Sequence, residues 1–218
     1  MNTPTAVPHL PRLLMFVAAV LLASVAASGV RAQTWNESGD AGALVATAQV
    51  TVGTGALTTI NGDLASPTDV DLYCIRMPSV PPAGTPLVQL QCAVQLGPNV
   101  WLFDAAGQGV ATNSTCSGGS KTILAPGISL APGTYYVAVS YSGLDPQSAG
   151  GAIWAPALPG QRAPDGPGAA GTLTGWAGSP TVQPINPYQI ALTFMTYCDA
   201  PTPTARPTWG SLKIRYKD

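Results

Sequence analysis

Pro132-Gly133-Thr134-Tyr135-Tyr136-Val137-Ala138-Val139-Ser140-Tyr141 decides how this chain folds. Pro-Gly is turn chemistry: proline presets its φ, and glycine accepts conformations that other residues avoid. Beyond the turn, Tyr135, Val137, Val139 and Tyr141 fall on one side of an extended chain, because successive strand side chains point to opposite faces. The same period of two recurs up- and downstream. Asp71 to Met77 sets Leu72, Cys74 and Arg76 against Tyr73, Ile75 and Met77. Val88, Leu90, Cys92, Val94 and Leu96 alternate with polar or small residues. Tyr188, Ile190, Leu192 and Phe194 alternate with Gln189, Ala191 and Thr193. Asn99 to Phe103 is a short apolar strand closed by the turn Asp104-Ala105-Ala106-Gly107. Leu57 to Leu64 holds the turn signal Asn61-Gly62-Asp63, and Ile123 to Leu130 is broken at Pro126-Gly127.

Ala41 to Gln49 is Ala-rich, but Val50, Val52, Gly53 and Gly55 follow at once, so a short strand or irregular cover is expected rather than a helix. Short strands, frequent turns and no amphipathic helix predict an all-β, jelly-roll-like antiparallel β-sandwich. Gly 24 and Pro 22 among 218 residues agree with that. The stretch from Ser142 to Pro187, rich in Gly, Pro, Ala and Ser, is long for a loop. It is expected to be an insertion, with a short strand near Thr172 to Trp176 or as a mobile excursion.

The chain begins like an export signal. Arg12 precedes an uncharged apolar run, Leu13 to Ala27, and Val30 and Ala32 stand where a signal peptidase reads small residues. Cleavage is expected after Ala32, giving a signal peptide at 1–32, a domain at 33–198 and a tail at 199–218. The apolar run is shorter than the roughly 20 residues a membrane span needs, and no later stretch is long enough. Arg12 and Arg31 leave with the signal, so seven basic residues face ten acidic ones in the remainder. Nothing in that balance supports nucleic-acid binding. Charged residues make up only 9% of the chain, so Ser, Thr, Asn and Gln must supply most of the polar surface.

All four cysteines, Cys74, Cys92, Cys116 and Cys198, lie in the mature part. An even count in an exported protein reads as two disulfides, with three pairings open. No CxxC pair and no mature histidine favour zinc. The one histidine is His9, inside the signal, which removes Ser-His and Cys-His catalysis from the mature chain. A carboxylate pair is chemically sufficient for a glycosidase, and Ser-Lys chemistry would have to use Lys121 or a lysine of the tail, but neither sits in a motif. A non-enzyme is expected.

Three stretches resemble the bacterial pre-peptidase C-terminal domain. Ile60-Asn61-Gly62-Asp63-Leu64 with Asp69-Val70-Asp71-Leu72-Tyr73 is similar to that family's opening. Val100-Trp101-Leu102-Phe103-Asp104-Ala105-Ala106-Gly107 resembles its second hairpin. Leu130-Ala131-Pro132-Gly133-Thr134-Tyr135-Tyr136-Val137 resembles its strand after the Pro-Gly turn. The match covers about residues 35–198. It implies a secreted β-sandwich of the kind found beside peptidases, acting in targeting or substrate binding. The absence of a preceding peptidase, the Gly/Pro-rich insertion and the cysteines depart from the pattern and imply a free-standing role.

Calcium is the leading site expectation. Asp69 and Asp71 lie two apart before a strand, and Glu37 and Asp40 lie in the acidic lead-in; hard cations collect such oxygens together with backbone carbonyls. In some relatives of the resembled family a similar lead-in and Asp-x-Asp edge share Ca²⁺. Tyr141, Trp154 and Trp176 are candidate stacking residues for a glycan, or else the tryptophans are buried and clamp the long loop. The Pro/Thr stretch 201–207 and the basic-aromatic end from Trp209 to Asp218 are a candidate sorting or envelope-anchoring signal, or else a terminal strand or a disordered end. Asn36-Glu37-Ser38 and Asn113-Ser114-Thr115 fit the N-glycosylation pattern, which a bacterial resemblance leaves unmodified. The expected role is a secreted, non-catalytic module that binds a protein or polysaccharide at the cell surface. A structural envelope or adhesion component, and an accessory domain of a secreted hydrolase system, are the alternatives.

Overall fold

The computed structural model describes residues 33–93, 97–125, 130–156, 159–181 and 187–199. The expected signal peptide at 1–32, the tail from 201 onward, Val94 and Leu96, and the break at Pro126-Gly127 lie outside them. The described residues form an all-β structure of stacked, mostly antiparallel sheets without a helix. No helix among them is long and apolar enough to cross a membrane.

The strands run in chain order as β1 (Gln33–Asn36), β2 (Gln49–Val50), β3 (Leu57–Gly62), β4 (Val70–Met77), β5 (Pro86–Gln91), β6 (Asn99–Asp104), β7 (Gly109–Asn113) and β8 (Ser120–Leu124). They continue as β9 (Gly133–Ser140), β10 (Ser142–Ser148), β11 (Gly151–Ala152), β12 (Gln161–Arg162), β13 (Gly175–Thr181), β14 (Tyr188–Leu192) and β15 (Thr196–Tyr197). One sheet has the order β1-β3-β14-β5-β8. The second has the order β12-β7-β6-β9-β4-β15, with β2 beside β4, and a third, smaller sheet is β11-β10-β13. Two pairings are parallel, β1 with β3 and β2 with β4.

The quoted strand is the centre of the second sheet. β9 pairs with β4 over eight residues, from Val70 opposite Ser140 to Met77 opposite Gly133, and with β6 on its other side. As expected from period two, Tyr135, Val137, Val139 and Tyr141 share one apolar cluster with Tyr73, Ile75 and Met77, facing Ile60, Leu90 and Ile190 of the first sheet. The opposite side of the same strands is apolar too. Leu72, Trp101, Phe103 and Ala138 form a second cluster with Ile153, Trp154 and Leu173. A sheet with two apolar faces must be covered twice, and the insertion is the second cover.

Here the structure corrects the expectation of a long loop. Ser142 to Pro187 contains β10 to β13, because main-chain hydrogen bonds need no particular side chain, and the tryptophans anchor the segment. Trp154 packs on Trp101 at 5.2 Å and on Phe103 at 5.7 Å between ring centroids, and Trp176 lies 6.0 Å from Trp101. Asn61-Gly62 is likewise no turn: both residues stay in β3, paired to β1 and β14. The strand expected to carry Val88 through Leu96 ends at Gln91.

The pairings left open by the sequence are Cys74 with Cys198 and Cys92 with Cys116, with Cα atoms 5.5 and 6.1 Å apart. They point to an extracytoplasmic protein, since such bonds persist in oxidising compartments. Cys74–Cys198 closes 124 residues of chain and Cys92–Cys116 only 24. Loop-closure entropy then assigns the longer link about 4–5 kcal/mol and the shorter about 3 kcal/mol. The Cys74→Ser/Cys198→Ser double variant should lower the urea midpoint more than Cys92→Ser/Cys116→Ser does. The reverse order in equilibrium unfolding would show that strain or residual denatured structure outweighs closure entropy.

Candidate functional site

Where the first sheet meets the start of β4, five acidic residues converge. Asp69 and Asp71 continue the inward face of Tyr73 backward along the chain, so period two alone brings all three to one side. Asp69 sits in the bend ahead of β4, where its Oδ2 accepts the Ala65 amide at 2.5 Å. The lead-in after β1 supplies the other wall. Glu37 accepts the Asp63 amide through Oε2 at 2.8 Å and the Ala41 amide through Oε1 at 3.2 Å. Asp40 Oδ1 accepts the Gly42 amide at 2.7 Å. Glu37, Asp40 and Asp69 are thus oriented by main-chain donors.

Asp40, Asp69 and Asp71 each offer an oxygen within 4.8 Å of the others. They range from exposed through half-buried to fully buried. Asp71 is the floor. Its Oδ2 accepts the Tyr188 hydroxyl at 2.5 Å, and that hydroxyl is 2.7 Å from the Tyr73 hydroxyl. Its Oδ1 is buried and accepts no hydrogen bond. Burial pushes the Asp71 carboxyl up to about 8, against the pull of the Tyr188 donor; the Glu37 and Asp69 charges and a side-chain hydrogen bond to Glu37, which the protonated form can donate, push the same way as burial. Burial also raises Tyr188 well above the usual phenol range, so it serves as a neutral donor.

Above this floor lies a cavity of about 620 Å³ lined by Glu37, Asp40, Asp63, Asp69, Asn61 and Gly62, among others, with no basic side chain in its lining. Crowded carboxylates over an unpaired buried oxygen can be relieved in two ways: by a proton or by a cation. The donors are hard oxygens, the type suited to Ca²⁺ at about 2.3–2.6 Å and unsuited to soft metals. All four carboxylates expected from the sequence, Glu37, Asp40, Asp69 and Asp71, are therefore placed together. Glu37 stands beside the three-residue cluster, with both oxygens already accepting amides.

Tyr73, Tyr188 and Gly62 were not singled out by sequence. Tyr73 was readable as the next residue of the Asp69, Asp71 face. Tyr188 lies 117 residues from Asp71, a separation that no local pattern reports. Gly62 is required by packing: a Cβ there would lie 2.3 Å from the Tyr188 hydroxyl and 2.4 Å from that of Tyr73.

The three aromatics are placed elsewhere. Tyr141 and Trp154 are 4% and 1% exposed, and the half-buried Trp176 donates its indole N–H to the Ala43 carbonyl at 2.7 Å. Tyr141 packs between the two large sheets, and Trp154 and Trp176 pack the insertion against the back of the second. No family model matches the chain, and no curated protein matches it. The likeness to pre-peptidase C-terminal domains rests on the quoted motifs alone.

Gly62→Ala should separate the tyrosine pair and withdraw the donor from Asp71. The expected loss is about 1–3 kcal/mol, the usual cost of overpacking, read by urea unfolding in chelator. Parental stability would mean that the tyrosines have room to yield.

Proposed function

We propose that this protein is an exported, non-catalytic β-sandwich module that binds a protein or polysaccharide at the cell surface, with its lead-in fastened to the sandwich by Ca²⁺. Asp40, Asp69 and Asp71 hold the ion, and Glu37 adds negative potential beside it. The observation that carries the reading is Asp71 Oδ1, a buried carboxylate oxygen with no hydrogen-bond partner beside two further carboxylates. Leaving such an atom unpaired is costly, and a divalent ion satisfies it while cancelling the repulsion around it. Two features support the binding-module part. The disulfide pairs suit an extracytoplasmic setting, and the single histidine, His9, lies in the expected signal.

A ligand that binds only the folded state at a hundred times its Kd adds about 2.7 kcal/mol. For a domain of this size, that raises the melting temperature by roughly 5–10 °C. Thermal melts in millimolar Ca²⁺ and in chelator should differ by this amount, and Asp71→Asn and Asp40→Ala should each abolish the difference. Superimposable parental curves would remove calcium from the reading. The binding role is tested by surface plasmon resonance against purified cell-wall and capsular polysaccharides and envelope proteins. Saturable binding to one class is expected, and no response to any of them would overturn it.

A further inference from the structure

Lys121 is fully buried, which is unusual for a lysine, and it pairs with no acid among the described residues. It sits on β8 of the first sheet and reaches across the sandwich to the second. There Nζ donates to the Asn99 side-chain Oδ1 at 2.8 Å and to the Gly97 carbonyl at 2.7 Å. Asn99 opens β6 and is itself buried. A buried ammonium with two neutral acceptors is poorly compensated, and burial lowers the lysine to about 8. A neutral amine has two N–H groups, which the two carbonyls accept, and one lone pair. That is the form in which lysine is a nucleophile.

We propose that Lys121 and Asn99 form a covalent cross-link: an amide bond between the lysine amine and the asparagine side chain that ties the two sheets of the sandwich together. The amine is already held against the amide it would attack, and such positioning converts a slow encounter into an intramolecular step. The Nζ lone pair adds to Asn99 Cγ and the Nζ–Cγ bond forms. The Cγ–Nδ2 bond breaks, and Nδ2 departs as ammonia, taking up the proton that Nζ gives up. No oxidant, reductant or further reactant is consumed. Asn99 lines a cavity of about 600 Å³ that also exposes Asp145 and Arg162, which gives ammonia an exit. The product joins β8 to β6, which no disulfide does. It would resist the pull that separates two sheets, as suits a module held at a surface.

The test is a tryptic peptide map of the reduced, alkylated wild-type protein produced by export. Lys121 is the only tryptic site between Arg76 and Arg162. A cross-linked chain resists cleavage there and yields one peptide spanning 77–162, lighter by one ammonia, whose fragmentation places the loss at Asn99 and Lys121. Linear peptides 77–121 and 122–162, each at full mass, would overturn the proposal. The reading is made on these peptides because Gln33, if it becomes the N-terminus, can also lose ammonia by cyclising. Lys121→Arg should restore cleavage at position 121 with no ammonia lost, whatever its stability. A variant peptide that still lacks ammonia at Asn99 would also count against the lysine as nucleophile.

Discussion

The structure depends on one strand being buried on both sides. Of the eight residues of β4, only Arg76 is exposed. Tyr73, Ile75 and Met77 press into the space between the two large sheets, and Leu72 presses into the tryptophan cluster behind. An antiparallel sheet can leave one face in water and needs only one cover. The sheet of β4, β9 and β6 cannot, because Trp101 and Phe103 of β6 turn its back apolar. The Gly/Pro-rich insertion covers that face, and Trp154 at its centre belongs to the core as fully as any residue of the sandwich.

The same strand organises the acidic site. Because β4 is covered on both faces, a side chain that continues its inward face is carried below the surface even where the strand begins. Asp71 is in that position. Tyr188, itself paired to Tyr73, satisfies one of its oxygens from inside, and the other is buried without a hydrogen bond. The lead-in then has an electrostatic problem of its own, since Glu37 and Asp40 approach a carboxylate that cannot retreat into water. Held by the amides of Ala41, Gly42 and Asp63, they converge rather than splay. The proposed Ca²⁺ would relieve that repulsion.

Sequence carried the fold class because the strands beside β4 obey period two so strictly: Tyr135, Val137, Val139 and Tyr141 all reached the core face assigned to them. It also carried the acidic residues, since Asp69 and Asp71 are i and i+2. It failed where the decisive partner is remote or side chains are uninformative. Tyr188 meets Asp71 across most of the domain. β10 contains Gly143 and Pro146, poor strand formers, yet it pairs with β13, because pairing is set by the cover that the tryptophans require. Asn61-Gly62 read as a turn by composition, whereas Gly62 is small for the tyrosine hydroxyls packed against it. The cysteine pairing was open for the same reason, as proximity in the fold is not a property of spacing.

The scarcity of charge is answered by amides. Along the solvent side of the first sheet, Gln91 donates to Gln189 at 3.0 Å, Gln189 to Asn61 at 3.0 Å, and Asn61 to Asn36 at 2.9 Å. This runs as a ladder over four adjacent strands. At the far edge of that sheet, Gln161 accepts from the Leu124 amide and donates to the Leu124 carbonyl, completing a strand pairing with a side chain. Proteins commonly guard such edges with lysine; here a neutral group fills the open hydrogen bonds instead. Neutral amides are indifferent to salt, so this surface keeps its polarity at ionic strengths that would screen charges. The ladder ends at Asn36 and Asn61, on the rim of the acidic cavity. Strong negative charge is therefore concentrated at one place on an otherwise weakly charged molecule, and long-range attraction of a cation is directed there.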